Sequence, residues 1–104
     1  MIKNLTPHPI MLIGQNEEIT TIAPEPVPAR LRATTVPAES VDGIATSRTV
    51  FGEPEGLPEA EAGTFFIVSQ IIKSALPSRA DLLVPAEVVR DKSGNIIGCR
   101  SLGR

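Results

Sequence analysis

Proline and glycine set the grain of this chain. Ten prolines and eight glycines interrupt its 104 residues so often that no stretch can run as a long helix. Proline lacks an N–H and fixes φ, and glycine favours turns, so what survives between them are short runs suited to strands. Pro9–Ile13 reads as a buried strand, with Gly14-Gln15-Asn16 as the turn after it. Glu18–Ile22 alternates polar and apolar and suits a hairpin partner. Pro24, Pro26 and Pro28 stand at alternate positions, which marks an extended linker or an edge, not a central strand. Ala29–Val36 resumes strand character, with Arg30, Arg32 and Thr34 on one face and Leu31 and Ala33 on the other.

Residues 37–62 read as a long acidic loop region rich in Gly and Pro, with room for one short strand at Ser47–Phe51. Its part from Gly52 to Gly63 holds Glu53, Glu55, Glu59 and Glu61 and no basic residue. The last third is more regular. Thr64–Val68 is the best strand pattern, and Ser69 is placed to cap a helix over about 70–76 that Pro77 ends. Leu82–Val84 follows as a strand, and a βαβ crossover there should be right-handed. Val88–Asp91 and Asn95–Arg100 flank Lys92-Ser93-Gly94 as a hairpin. The expected fold is one α+β domain over 1–104. It has a small, mostly antiparallel sheet or partial barrel and one short helix. Ile10, Leu12, Leu31, Phe65, Ile67, Ile71, Leu83, Val88 and Ile97 are expected in its core.

Composition narrows the function. Three Phe, with no Tyr and no Trp, leave little to stack on unpaired bases, and a net charge of −2 provides no general phosphate footprint. Nucleic acid is therefore a poor partner. A single cysteine excludes an internal disulfide and suits a reducing cytoplasm. No apolar run approaches a membrane span of about 20 residues, and the N-terminus does not read as a leader, so the expected location is cytoplasmic with no membrane partner.

Catalytic groups are sparse. His8, the sole histidine, is held between Pro7 and Pro9, where it serves either as a ligand-facing imidazole or as the stiff start of a strand. Cys99 lies between Gly98 and Arg100, and a pair with His8 would need both ends of the chain to meet. Ser69 and Lys73 are four apart, not at the spacing of serine–lysine acylases. No metal-ligand spacing, dinucleotide fingerprint or phosphate loop is present. The reading assigns no catalytic residue, no metal and no cofactor.

The arginines are the better candidates. Arg30 and Arg32 share a strand face, while Arg79, Arg90 and Arg100 punctuate the C-terminal unit. Arginine offers a planar fork that fits phosphate or carboxylate. The expected binding set is Arg30, Arg32, Ser69, Arg90 and His8; pairing with Asp81, Asp91 and the glutamates is the competing role for the arginines.

The stretches Asn4-Leu5-Thr6-Pro7-His8, Gly56-Leu57-Pro58 and Gly63-Thr64-x-Phe66-Ile67-Val68-Ser69 form part of a longer pattern. Asp81-Leu82-x-x-Pro85 and Val89-Arg90-Asp91 through Gly94 to Ile97-Gly98-Cys99-Arg100 complete it. The pattern resembles a family of small proteins from bacteriophages, prophages and some bacteria. The resemblance implies a small accessory protein of a mobile element and brings no catalytic residue with it. Two functions are expected from the whole. The first is non-enzymatic capture of a small anionic ligand, such as a nucleotide signal of host defence. The second is a protein–protein interaction module, an inhibitor or assembly factor that uses the acidic loop. Short strands with apolar residues on both faces also predict a homo-oligomer, most simply a two-fold dimer.

Overall fold

A computed structural model describes residues 1–104. Eight strands and one helix follow in the order β1 (Ile2–Asn4), β2 (Ile10–Ile13), β3 (Ile19–Ile22), β4 (Arg30–Val41), β5 (Ile44–Glu55), β6 (Phe65–Ile67), α1 (Gln70–Ala75), β7 (Leu82–Arg90) and β8 (Ile96–Gly103). Six strands form one sheet in the order β1-β6-β7-β8-β2-β3, and β4 pairs with β5 alone. Residue for residue the pairing is mostly antiparallel, in β2–β3, β4–β5 and β7–β8. The buried centre is different: β1, β6 and β7 run parallel.

The βαβ unit explains that centre. Parallel neighbours need a crossover, and α1 provides it between β6 and β7. Ser69 caps the helix, its Oγ accepting from the Ile72 N–H at 3.3 Å. Leu76 closes the last turn by donating to the Lys73 carbonyl, and Pro77 cannot continue it. The single buried helical residue, Ile72, packs with Phe66, Val68, Leu82, Leu5 and Ala29. Period-two alternation turns Ile67 to the opposite face, in register with Asn4 and Leu83, and it too is fully buried. Strand β6 is thus covered on both sides.

The sheet curls into a nearly closed partial barrel. Asn4, on the outer strand β1, bridges to Pro24, just past the other outer strand β3, and the Glu25 N–H donates to the Asn4 carbonyl at 2.8 Å. The Asn4 side chain fastens this seam. Its amide nitrogen donates to the His8 carbonyl at 2.7 Å and to the Ile22 carbonyl at 3.0 Å. Its Oδ1 accepts from the Thr6 N–H at 2.9 Å and lies 2.6 Å from the Thr6 hydroxyl. That hydroxyl also lies 2.9 Å from the His8 carbonyl, and its one proton serves a single acceptor at a time. Asn-Leu-Thr-Pro-His therefore acts here as a clasp, built from one buried amide and the backbone it holds.

Strands β4 and β5 leave the body as a two-stranded arm. Each is twelve residues long, and Asp42 and Gly43 turn the tip with φ of 50° and 76°. Two consecutive positive φ values, with Val41 facing Ile44, define a tight two-residue hairpin loop. The short strand expected at Ser47–Phe51 lies within β5, but the loop expected around it is mainly paired strand as well, and only 56–64 connects without strand structure. The loop begins at Gly56, whose φ of 78° suits glycine, and a Cβ there would stand 2.7 Å from the Pro28 carbonyl. The core also differs in phase. Ile67 and Leu83 are buried as expected, but Ile71, Val88 and Ile97 face outward, and Phe66 and Ile72 fill the centre.

Candidate functional site

The expected binding residues separate into three places. Arg30 and Ser69 line one depression of about 410 Å³ between the root of the arm and α1, together with Pro7, Phe51 and Ile71. Arg32, two residues along β4, is drawn to Glu55 at 3.1 Å, with both side chains exposed. Arg90 belongs to the β7–β8 turn, where it donates to the Gly94 carbonyl at 2.8 Å. The His8 imidazole is exposed, and the clasp uses the carbonyl of this residue. The five residues do not converge on one point. Only Arg30 and Ser69 share a surface, and the Ser69 hydroxyl already caps the helix.

The other arginines are mostly bound within the chain. Arg79 grips Asp81 with two bonds of 2.8 Å and reaches the Pro58 carbonyl at 3.1 Å, tying the 56–64 loop to the end of the crossover. Arg100 reaches Glu17 at 3.0 Å, and Arg104 lies 5.2 Å from the centre of the Phe65 ring. Arg30 and Arg48 make no side-chain bond or ion pair, and Arg48 lies on the arm in a depression shared with Pro37, Glu39 and Thr46.

The Arg79–Asp81 grip has a measurable consequence. Hydrogen bonding from Arg79 holds the Asp81 carboxyl below its ordinary range, outweighing the opposing effect of burial. A carboxylate held low in the folded state contributes stability that is present above the unfolded value near 3.9 and is lost as pH falls through the lower folded value. Asp81→Asn is expected to cost about 1–2 kcal/mol at pH 7 and to flatten the acid limb of stability against pH. Urea midpoints between pH 7 and pH 2 measure it, and an unchanged acid limb contradicts the assignment.

Cys99 does not make a nucleophile. The thiol is buried in β8, and desolvation pushes its pKa up while a backbone contact at Ala86 opposes this only in part. A protonated, enclosed thiol and an exposed imidazole do not form an activated pair.

The feature that dominates the surface is the arm. Twelve residues of strand reach roughly 40 Å, and the molecule measures 55 × 39 × 23 Å. Its radius of gyration is 16.8 Å, against about 13 Å for a compact domain of this length. Besides β4 with β5, the main contact of the arm is β4 with α1. Val41 and Ile44 at the tip, and Val50 and Phe51 towards the root, are all about half exposed or more. The acidic stretch is split by this geometry: Glu53 and Glu55 lie in β5, while Glu59 and Glu61 lie in the connecting loop. No helix is long and apolar enough to cross a membrane. Comparisons with protein-family models, curated proteins and solved structures find no match.

Proposed function

We propose that this chain is a non-enzymatic protein-binding module that docks through the β4–β5 arm. The observation that carries the reading is surface. The chain exposes 7389 Å², whereas a folded monomer of its mass exposes about 5,600 Å². The excess, about 1,800 Å², is more than the roughly 800 Å² that each partner commits to a stable interface. A two-stranded ribbon is also marginal by itself in water, so a long one implies a partner that covers it.

The test is to shorten the arm. Replacing residues 34–50 with Asn-Gly leaves Ala33 opposite Phe51 across a two-residue turn and spares the body. Native mass spectrometry of protein purified from cells is expected to show the full chain in a complex and the shortened chain alone. Identical association states for both, with the body still folded by circular dichroism, would remove the arm from the function.

A second reading is favoured by one side chain. Arg30 is free of internal partners and faces a depression beside Ser69. A small anion of nucleotide type held there fits the phage-accessory context that the resemblance implies. Calorimetry against linear and cyclic nucleotides tests it. Removing the guanidinium in Arg30→Ala should weaken binding about tenfold or more, the equivalent of about 1.5–3 kcal/mol for a charge-assisted bond. No binding tighter than about 100 μM would end this reading.

A further inference from the structure

We infer that two copies of this chain join by pairing β5 with β5, antiparallel about a two-fold axis, so that their arms form one four-stranded sheet. This rests on the arm being the docking element and adds its occupant and the edge it uses. Strand addition needs an open edge with its N–H groups intact. The six-stranded sheet has only short outer strands, of three and four residues, and the bridge from Asn4 to Pro24 draws them together. Within the arm, β4 carries Pro37 at mid-length, which has no N–H to offer. Strand β5 has no proline from Ile44 to Glu53. Over those ten residues it is a long edge that lacks no N–H group.

That edge is compatible with its own copy. Between Ile44 and Gly52 the sole charge is Arg48, set among Thr46, Ser47 and Thr49, so nothing there selects an acidic or a basic partner. Folded proteins protect exposed edges with charge, proline or bulges, and this stretch is poor in all three until Gly52. The one charge also restricts the register. Antiparallel pairing about a two-fold axis sets one residue opposite its own copy. With Arg48 in that place, like charges would face each other about 5 Å apart, which is unfavourable. The crossing point therefore falls off Arg48, and the flanking Thr46, Ser47 and Thr49 keep it near the middle of this stretch. Such a dimer closes on itself and exposes no second β5 edge for further growth.

Light scattering and native mass spectrometry of the full chain at about 50 μM are expected to give twice the 11.0 kDa subunit mass. Thr46→Cys, Ser47→Cys and Thr49→Cys, made singly and oxidised mildly, should include one variant that forms a disulfide-linked dimer; Cys99 is buried and does not compete. Ser47→Pro and Arg48→Pro sample the two alternating N–H directions of β5. The one with the outward N–H should return the protein to a single subunit with its circular dichroism unchanged. A dimer that survives both prolines and gives no disulfide link at any of the three positions overturns the pairing and leaves the arm's docking role standing. A complex with a different protein does the same. A lone 11.0 kDa subunit overturns both.

Discussion

Asn4→Ala is expected to destabilise the fold by about 3–5 kcal/mol. The substitution leaves the carbonyl of Ile22 and the N–H of Thr6 without the Asn4 side chain, and leaves the His8 carbonyl only the Thr6 hydroxyl. Each polar group stranded away from water costs about 1–3 kcal/mol, and the exposure of His8 moderates the sum. Against a total stability of about 5–15 kcal/mol for a domain, the loss is large. Asn4→Asp is the sharper variant. It keeps the shape but turns a carboxylate towards two carbonyl oxygens, so the folded state favours the protonated acid and raises its pKa. Stability of that variant should therefore rise as pH falls through the raised value towards the unfolded one near 3.9. The chain has neither Trp nor Tyr, so far-UV circular dichroism in urea, at fixed protein concentration, is the suitable readout. A loss under about 1 kcal/mol for Asn4→Ala would mean that the seam is held by something else.

Phe66→Ala should cost about 3–5 kcal/mol, because Phe66 is 1 % exposed between the sheet and α1 and its removal leaves a cavity ringed by Val68, Ile72 and Leu82. Phe65→Ala is the control. Phe65 is half-buried beneath Arg104, and its loss should cost nearer 1 kcal/mol. The reverse ranking would place β6 in the opposite phase.

That phase marks the limit of what the sequence discloses. Strand positions for β2, β3, β6 and β8, the capped helix and the Lys92-Ser93-Gly94 turn are all legible, since each has its own local signal in turn residues, alternation or a capping serine. Period two assigns a face only where one side meets water. Phe65, Phe66, Ile67 and Val68 are all apolar, so alternation could not choose between Phe65 and Phe66. The outward turn of Ile71 has a similar origin. Adjacent isoleucines on a six-residue helix leave the buried one to be set by the sheet beneath, and the sheet selects Ile72.

The arm was hidden for another reason. Residues 33–52 hold few apolar side chains in alternation, and the glutamates after Gly52 suggest solvent. Yet Asp42-Gly43, flanked by Val41 and Ile44, is a strong hairpin signal, and it was available in the sequence. The candidate site was less legible still. Charge spacing makes the pairing of Arg79 with Asp81 legible, but other partners come from distant segments: Glu55 for Arg32, Pro58 for Arg79 and Glu17 for Arg100. Asn4 gave no sign of its role, because two of its three side-chain partner residues, Thr6 and His8, follow within a few positions while Ile22 is brought to it only by the curl of the sheet.

The pairing of Ile2 with Phe65 places a delay into the making of this protein. A ribosome adding about 5–20 residues per second needs roughly 3–12 s to supply the some sixty residues that separate β1 from its neighbour. For the last part of that interval, after Glu55 and before Phe65, the nascent chain already holds both strands of the arm, whose contacts are local and close early. The helix that supports its root has not yet been made. Neighbouring chains on one messenger thus present long, nearly uncharged edges to each other before either body can fold. Synthesis rate and temperature, more than equilibrium stability, should decide how much of this protein is recovered in native form.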